Sequence, residues 1–254
     1  MLTILQLPVL NDNYIYLLHD PDSGESAVVD PAVAQPVLAV LEQNNWQLTM
    51  ILNTHHHSDH VGGNLELKQK TGCTVIAAQV DQNRIPGIDS FVADGDLITL
   101  GKYSAKVIST PGHTSGHVVY HFANENALFC GDTLFVMGCG RLFEGTAEQM
   151  WQSFQKLKAL PLSTRIYCAH EYTQINGRFA LTIEPDNQQL KQRMVLINQL
   201  RDKHLPTVPS TLQQELATNP FFREDSLDVQ ENLKMKGSQP VAVFTEIRRL
   251  KDSF

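Results

Sequence analysis

Runs of β-branched and aromatic residues alternate with segments of helical period over the first two thirds of the chain. The runs "TILQLP", "YIYLL", "SAVVD", "MILNT", "TVIAA", "AKVIST", "VVYHF", "ALFCG" and "RIYCA" predict strands of a partly buried sheet. Between them, "PAVAQPVLAVLEQNNW" sets Val37, Leu38 and Leu41 on one helix face, and "GNLELKQKTG" predicts a second helix that stops at Gly72. In "TAEQMWQSFQKLKAL", Thr146 and Gln149 have capping-box spacing, while Met150, Phe154 and Leu157 mark a buried stripe. The pattern changes near residue 172. Beyond it Leu190, Met194, Ile197 and Leu200 keep helical spacing, Asp186 is the expected cap, and strand-like runs almost vanish. "LPTVPSTLQQELATNPFF" reads as a Pro-punctuated linker into a short helix capped by Ser210. The expectation is an α/β body over residues 1–172 and a small helical C-terminal domain over 173–254.

Composition removes several function classes. Apolar residues make up 42% of the 254 and charged residues 19%, the balance of a folded globular chain. No apolar run approaches the roughly 20 residues that span a bilayer, and "MLTILQLPVLNDNY" lacks the basic start and small-residue cleavage site of a secretion signal. A cytoplasmic protein with no membrane partner is expected. A formal net charge of -7 argues against an extended nucleic-acid-binding face. Cys73, Cys130, Cys139 and Cys168 are widely spaced with no C-x-x-C pair, so they read as buried thiols.

The chemistry concentrates in "NTHHHSDHVGG", which holds four of the 10 histidines. In an extended segment His55 and His57 face one way and His56 the other, so the first two suit one metal ion. Asp59 and His60 follow at a turn and suit a second. His113 in "VISTPGHTSGH", Asp132 in "ALFCGDTLF" and His170 in "RIYCAHEY" each follow a strand-like run, as His55 does. In open α/β sheets the carboxyl ends of strands form the rim where ligands bind. Seven donors are thus expected at one rim. Imidazole and carboxylate without thiolate suit zinc, with iron or manganese as alternatives. Structural zinc usually occupies a closed, Cys-rich, four-ligand site, so this set points to catalysis. Two such ions would bring the pKa of a shared water toward ~7 and face the carbonyl oxygen on which charge develops, which implies metal-assisted hydrolysis. Asp30, ending "AVVD", is a candidate to orient a ligand histidine or to serve as a turn residue. His117 reads as structural, and Gly138 and Gly140 as places where backbone passes close to the site.

"THHHSDHVGG", "TPGHTSGH", "GDTLF" and the late His170 resemble the metallo-β-lactamase superfamily over residues 1 to about 172. That resemblance implies an αββα sandwich with a dimetal site on one edge. His55, His57 and His113 would hold one ion, Asp59, His60 and His170 the other, and Asp132 would bridge them. Asp132, Asp59 and His60 are then the catalytic candidates. "DNYIYLL", "GCGRLFEGTAEQM", "CAHEYT", "NPFFR" and "RRLKD" further resemble the hydroxyacylglutathione hydrolase (glyoxalase II) family along nearly the whole chain. This implies hydrolysis of S-D-lactoylglutathione to glutathione and D-lactate, the second step of methylglyoxal detoxification, by a monomeric enzyme acting on a small-molecule thioester. Arg141, Tyr172, Arg248 and Lys251 would hold the glutathione part. Phe143 stands where some relatives carry Tyr.

Elementary chemistry agrees with that implication. Arg makes forked bonds to carboxylates, and Arg248 and Lys251 lie three residues apart, on one face of a helix. A thiol of pKa about 8.5 leaves readily as thiolate, so no dedicated general acid is required. The alternatives are a single-iron persulfide dioxygenase on the same scaffold, a superfamily nuclease, and a non-enzymatic metal-binding module. The dioxygenase should lack the helical C-terminal unit, and the nuclease should carry an added domain and a basic surface.

Overall fold

The computed structural model describes residues 1–254, which form two compact units: residues 1–109 with 115–131, and residues 110–114 with 132–254. The first unit carries strands β1 (Thr3–Val9), β2 (Asn13–His19) and β3 (Glu25–Val29), helix α1 (Gln35–Asn44), β4 (Gln47–Leu52), helices α2 (Ser58–Val61) and α3 (Asn64–Thr71), then β5 (Thr74–Ala78) and β6 (Ser90–Val92). These strands form one sheet in the order β1-β2-β3-β4-β5-β6. It is antiparallel from β1 to β3 and parallel from β3 onward. β7 (Leu97–Leu100), β8 (Tyr103–Ser109), β9 (Val118–Phe122) and β10 (Ala127–Gly131) follow, antiparallel in the order β10-β9-β8-β7.

β2 is buried along its whole length because both of its faces are covered. Ile15 and Leu17 pack with Val37 and Leu41 of α1 and Leu67 of α3, while Tyr16 on the opposite face meets Phe129 of β10 with ring centroids 5.4 Å apart. Each such fully buried aliphatic side chain contributes about 1.5–3 kcal/mol. All nine predicted strand runs are strands. Of the additional ones, β6 with three residues is too short for alternation to register, whereas β7 has four residues of alternating burial that the sequence reading passed over.

In the second unit β11 (Leu134–Phe135) and β12 (Gly138–Cys139) form a hairpin. Helix α4 (Ala147–Lys158), β13 (Arg165–Cys168), α5 (Thr173–Ile183), α6 (Gln188–Asp202), β14 (Ser210–Thr211), α7 (Leu212–Thr218), α8 (Leu227–Asn232) and α9 (Pro240–Asp252) follow. Both bonds of the predicted Thr146/Gln149 capping box are present, and Met150, Phe154 and Leu157 are buried. Phe154 packs near Phe221, Phe222 and Phe244, which makes an aromatic core for this unit.

Two caps differ from expectation by one residue. Asn187, not Asp186, accepts from the Leu190 amide to start α6, and Asp186 is exposed. Thr211, not Ser210, caps α7, because the buried Ser210 hydroxyl is committed to Glu215. Glu215 is itself central: Arg193 pairs with it at 2.7 Å, and its Oε2 accepts from the Met137 amide at 2.7 Å. Met137 has a left-handed φ of 55°, so this buried acceptor holds the tip of the β11–β12 hairpin in a costly conformation. No helix is long and apolar enough to cross a membrane.

Candidate metal centre and cavity

In the first unit the end of β4 runs into the histidine cluster. His55 Nε2 lies 3.0 Å from His57 Nδ1, whereas His56 turns away toward Asp81 and Arg84. Asp59 and His60 sit on the single turn of α2, and His60 is buried. Asp30 stands behind His60. Its Oδ2 is 3.0 Å from His60 Nδ1 and accepts from the Thr54 hydroxyl at 2.6 Å, and its Oδ1 accepts from the Thr54 amide at 2.8 Å. A proton on Nδ1 therefore points at Asp30 and leaves the Nε2 lone pair for a metal ion. Asp30, His55 and His60 offer donor atoms within 4.8 Å of one another, and the Asp30 oxygens already accept from Thr54 and face His60 Nδ1. The Asp30 φ of 49° at the end of β3 is the left-handed conformation that delivers the carboxylate there. His117 is buried and stacks on His55 with centroids 5.0 Å apart, a packing role.

In the second unit Asp132 is placed between two histidines. Its Oδ2 lies 3.5 Å from His113 Nε2, and its Oδ1 lies 3.4 Å from His170 Nε2. His113 Nδ1 donates to the Arg141 carbonyl at 2.7 Å, and this leaves the lone pair of Nε2, the nitrogen on the Asp132 side, free for a metal ion. His170 stacks on Tyr172 at 4.8 Å. Gly140 passes against this site as the sequence suggests: a Cβ there would come within 1.9 Å of the Asp132 carbonyl oxygen.

These spacings are too long for good hydrogen bonds and have a different meaning. Two ligands about 2.05 Å from one tetrahedral ion stand about 3.4 Å apart. The His113–Asp132 and His170–Asp132 separations match, as does the 3.6 Å between His60 Nε2 and Asp59 Oδ2. The donor set of imidazole and carboxylate, with the ring nitrogens turned by Asp30 and by the Arg141 carbonyl, fits divalent metal ions.

Arg141, Phe143, Tyr172, Arg248 and Lys251 all line one cavity of about 400 Å³, together with His113, Asp132, Phe135, Cys139, Ile175 and Asn176. The cavity is cationic on one side. Arg248 is buried, with Nη1 on the Cys139 carbonyl at 2.7 Å, Nη2 on Asp252 Oδ1 at 2.9 Å, and the guanidinium over the Phe221 ring. Arg141 is exposed, and its Nε stands 3.5 Å from the same Asp252 oxygen. Lys251 is half-buried beside the rings of Phe179 and Phe254. Burial, followed by the charges of Arg248, Arg141 and Arg178, lowers its pKa to about 8. Arg249 points away to Glu246. Burial holds the Cys139 thiol up at about 12, and Cys168 likewise.

The opposite wall is apolar. Phe143 is exposed and meets His113 edge-on at 5.2 Å, and Ile175 is exposed beside it. Sequence reasoning missed Asp252, Asn13 and Ile175. The "RRLKD" ending contains Asp252, but only the helical i,i+4 pairing with Arg248 discloses its role.

Comparison with known proteins places this architecture. Residues 10–170 match the family model of the metallo-β-lactamase superfamily, and residues 171–254 match that of the hydroxyacylglutathione hydrolase C-terminus. A hydroxyacylglutathione hydrolase of Methylococcus capsulatus is 59% identical over 254 residues, covering 100% of this chain and 99% of that one. One of Rhodospirillum rubrum is 54% identical over 253 residues with the same coverage. A solved metallo-β-lactamase of Staphylococcus aureus superposes with a TM-score of 0.68 at 21% identity, covering 99% of this chain and 71% of that one, which establishes likeness of fold. The αββα sandwich with a helical C-terminal domain expected from the motifs is therefore the fold, and the chain belongs to the hydroxyacylglutathione hydrolase family of the metallo-β-lactamase superfamily.

Proposed function

We propose that this protein hydrolyses S-D-lactoylglutathione and related S-2-hydroxyacylglutathiones to glutathione and the free 2-hydroxy acid. His55, His57 and His113 would hold one ion, Asp59, His60 and His170 the other, and Asp132 would be shared between them. Zinc is the favoured metal. Residues 1–172 act as the catalytic domain and 173–254 as the substrate-binding domain of a cytoplasmic monomer. The observation that carries the reading is the Asp132 carboxylate, whose two oxygens face two different histidines at 3.5 and 3.4 Å.

This set would hold divalent ions, whose chemistry there would be activation of a water oxygen and polarisation of the thioester carbonyl. The residues do the rest. Asp132 fixes the spacing, and Asp30 fixes the His60 tautomer. Arg141, Arg248 and Lys251 give the glutathione carboxylates a cationic wall, so the scissile bond is set by a part of the substrate that does not react. Phe143 and Ile175 border the acyl end with apolar surface, and Tyr172 holds the His170 ring in place. The oxygen of water adds to the carbonyl carbon, the carbon–sulfur bond breaks with its electron pair going to sulfur, glutathione departs as thiolate without a proton donor, and both protons of the water pass to solvent as the 2-hydroxy acid leaves as its carboxylate.

The deciding experiment is steady-state hydrolysis of S-D-lactoylglutathione by metal-quantified protein. Two ions per chain with turnover that ends on chelation is the expected result. A fully loaded protein without thioesterase activity, or one that consumes oxygen with a single iron, overturns the proposal.

A further inference from the structure

The first residue of β2, Asn13, belongs to the "DNY" segment at the tip of the β1–β2 hairpin, opposite Val9. It is 6% exposed. Its Nδ2 donates to Asp59 Oδ2 at 3.0 Å and to the Asp59 main-chain carbonyl at 3.2 Å. Both protons of one amide nitrogen thus go to one residue 46 positions away, one to its side chain and one to its own backbone. That pair of bonds ties the Asp59 carboxylate to its main chain and removes its rotamer freedom.

The need for such a tie is local. Asp59 sits on a helix of a single turn, and its side chain is 39% exposed. Asn suits the task where its neighbours in chemistry do not. Asp would bring a second carboxylate against the first, Ser has one proton for two acceptors, and Gln places the amide one methylene further out. Asp59 Oδ2 also lies 3.6 Å from His60 Nε2, the separation of two ligands on one ion, and His60 is held from its other side by Asp30. Both ligands on this turn therefore have a dedicated partner: Asp30 at the end of β3 for His60, and Asn13 at the start of β2 for Asp59.

We propose that Asn13 is a positioning residue that sets the affinity of the ion held by Asp59 and His60. The inference rests on the dimetal reading above and deepens it. An outer hydrogen-bond partner of a metal ligand is worth about 10–100-fold in affinity, and Asn13→Ala should cost one of the two ions that much while the other is held as before.

The test is zinc competition against a chromophoric chelator on the full chain, giving two stepwise constants for wild type, N13A, D59A and the double variant. Loss of 10–100-fold in one constant of N13A, with no further loss when N13A is added to D59A, supports the proposal. Unchanged constants in N13A, equal losses in both, or additive losses in the double variant overturn it. If N13A does not fold by its thermal transition, N13S takes its place. Its single donor should leave an intermediate loss, and wild-type constants in N13S overturn the proposal. Wild type that binds fewer than two zinc ions would instead refute the dimetal reading, which separates the two failures.

Discussion

Asp30 and His60 form a buried pair in which the carboxylate Oδ2 stands 3.0 Å from the ring Nδ1, on the side away from the metal-facing nitrogen. Asp30→Ala should lower metal affinity by about 10–100-fold. It should also lower stability, because the Thr54 amide and hydroxyl lose their acceptor, at about 1–3 kcal/mol for each buried group left unsatisfied. Chelator competition and thermal unfolding of the apo and loaded protein measure the two effects. Retention of wild-type zinc affinity would show that His60 is oriented by something else.

Asp132→Ala removes the only carboxylate facing both His113 and His170. Turnover should vanish and bound metal should fall below two ions per chain, a larger loss than the about 10–100-fold attached to an outer partner. Metal analysis after gel filtration, run beside the thioesterase assay, decides it.

The two cavity arginines should separate in their effects. Arg141 is 61% exposed, so Arg141→Ala should raise KM and leave Tm alone. Arg248 is 6% exposed and donates to the Cys139 carbonyl, so Arg248→Ala should raise KM and lower Tm together. If Arg248→Ala lost metal and kept its KM, the cavity would not be the glutathione site.

Lys251 titrates near the working range. Its pKa of about 8 means that the ammonium is present below that pH and neutral above it, so kcat/KM should fall as pH rises through about 8. Substrate carboxylate favours the charged form, so kcat should hold to higher pH than kcat/KM. Lys251→Arg, always protonated, should flatten this alkaline limb. A profile identical in wild type and Lys251→Arg would remove Lys251 from substrate binding.

Phe143→Tyr adds a hydroxyl to an exposed ring that lines the cavity. One added hydrogen bond of about 0.5–1.5 kcal/mol corresponds to a KM lowered roughly 2- to 12-fold, with kcat unchanged. An unaltered KM would mean that the exposed ring has no polar partner on the bound substrate.

The sequence patterns carried the strand runs because β2 and β10 are buried throughout and β3 from Ser26 onward. The His and Asp residues proposed as metal donors stand out for a related reason: a buried strand that ends in His or Asp is a conspicuous break in apolar character. Hydrogen-bond partners were not legible. Nothing in the spacing of Asn13 and Asp59, or of Met137 and Glu215, signals contact across 46 or 78 positions. The helix caps slipped by one residue because adjacent polar residues compete, and burial decides between Ser210 and Thr211 only once Glu215 is in place.

Cys139 lines the same cavity as Asp132, yet burial keeps it protonated, with a pKa of about 12. At neutral pH roughly one molecule in a hundred thousand carries that sulfur as its anion. A protein nucleophile there would capture the acyl group and hand it on in two stages; silenced, it leaves solvent as the sole acceptor. Product should therefore accumulate without the burst that an acyl-enzyme on this sulfur would give.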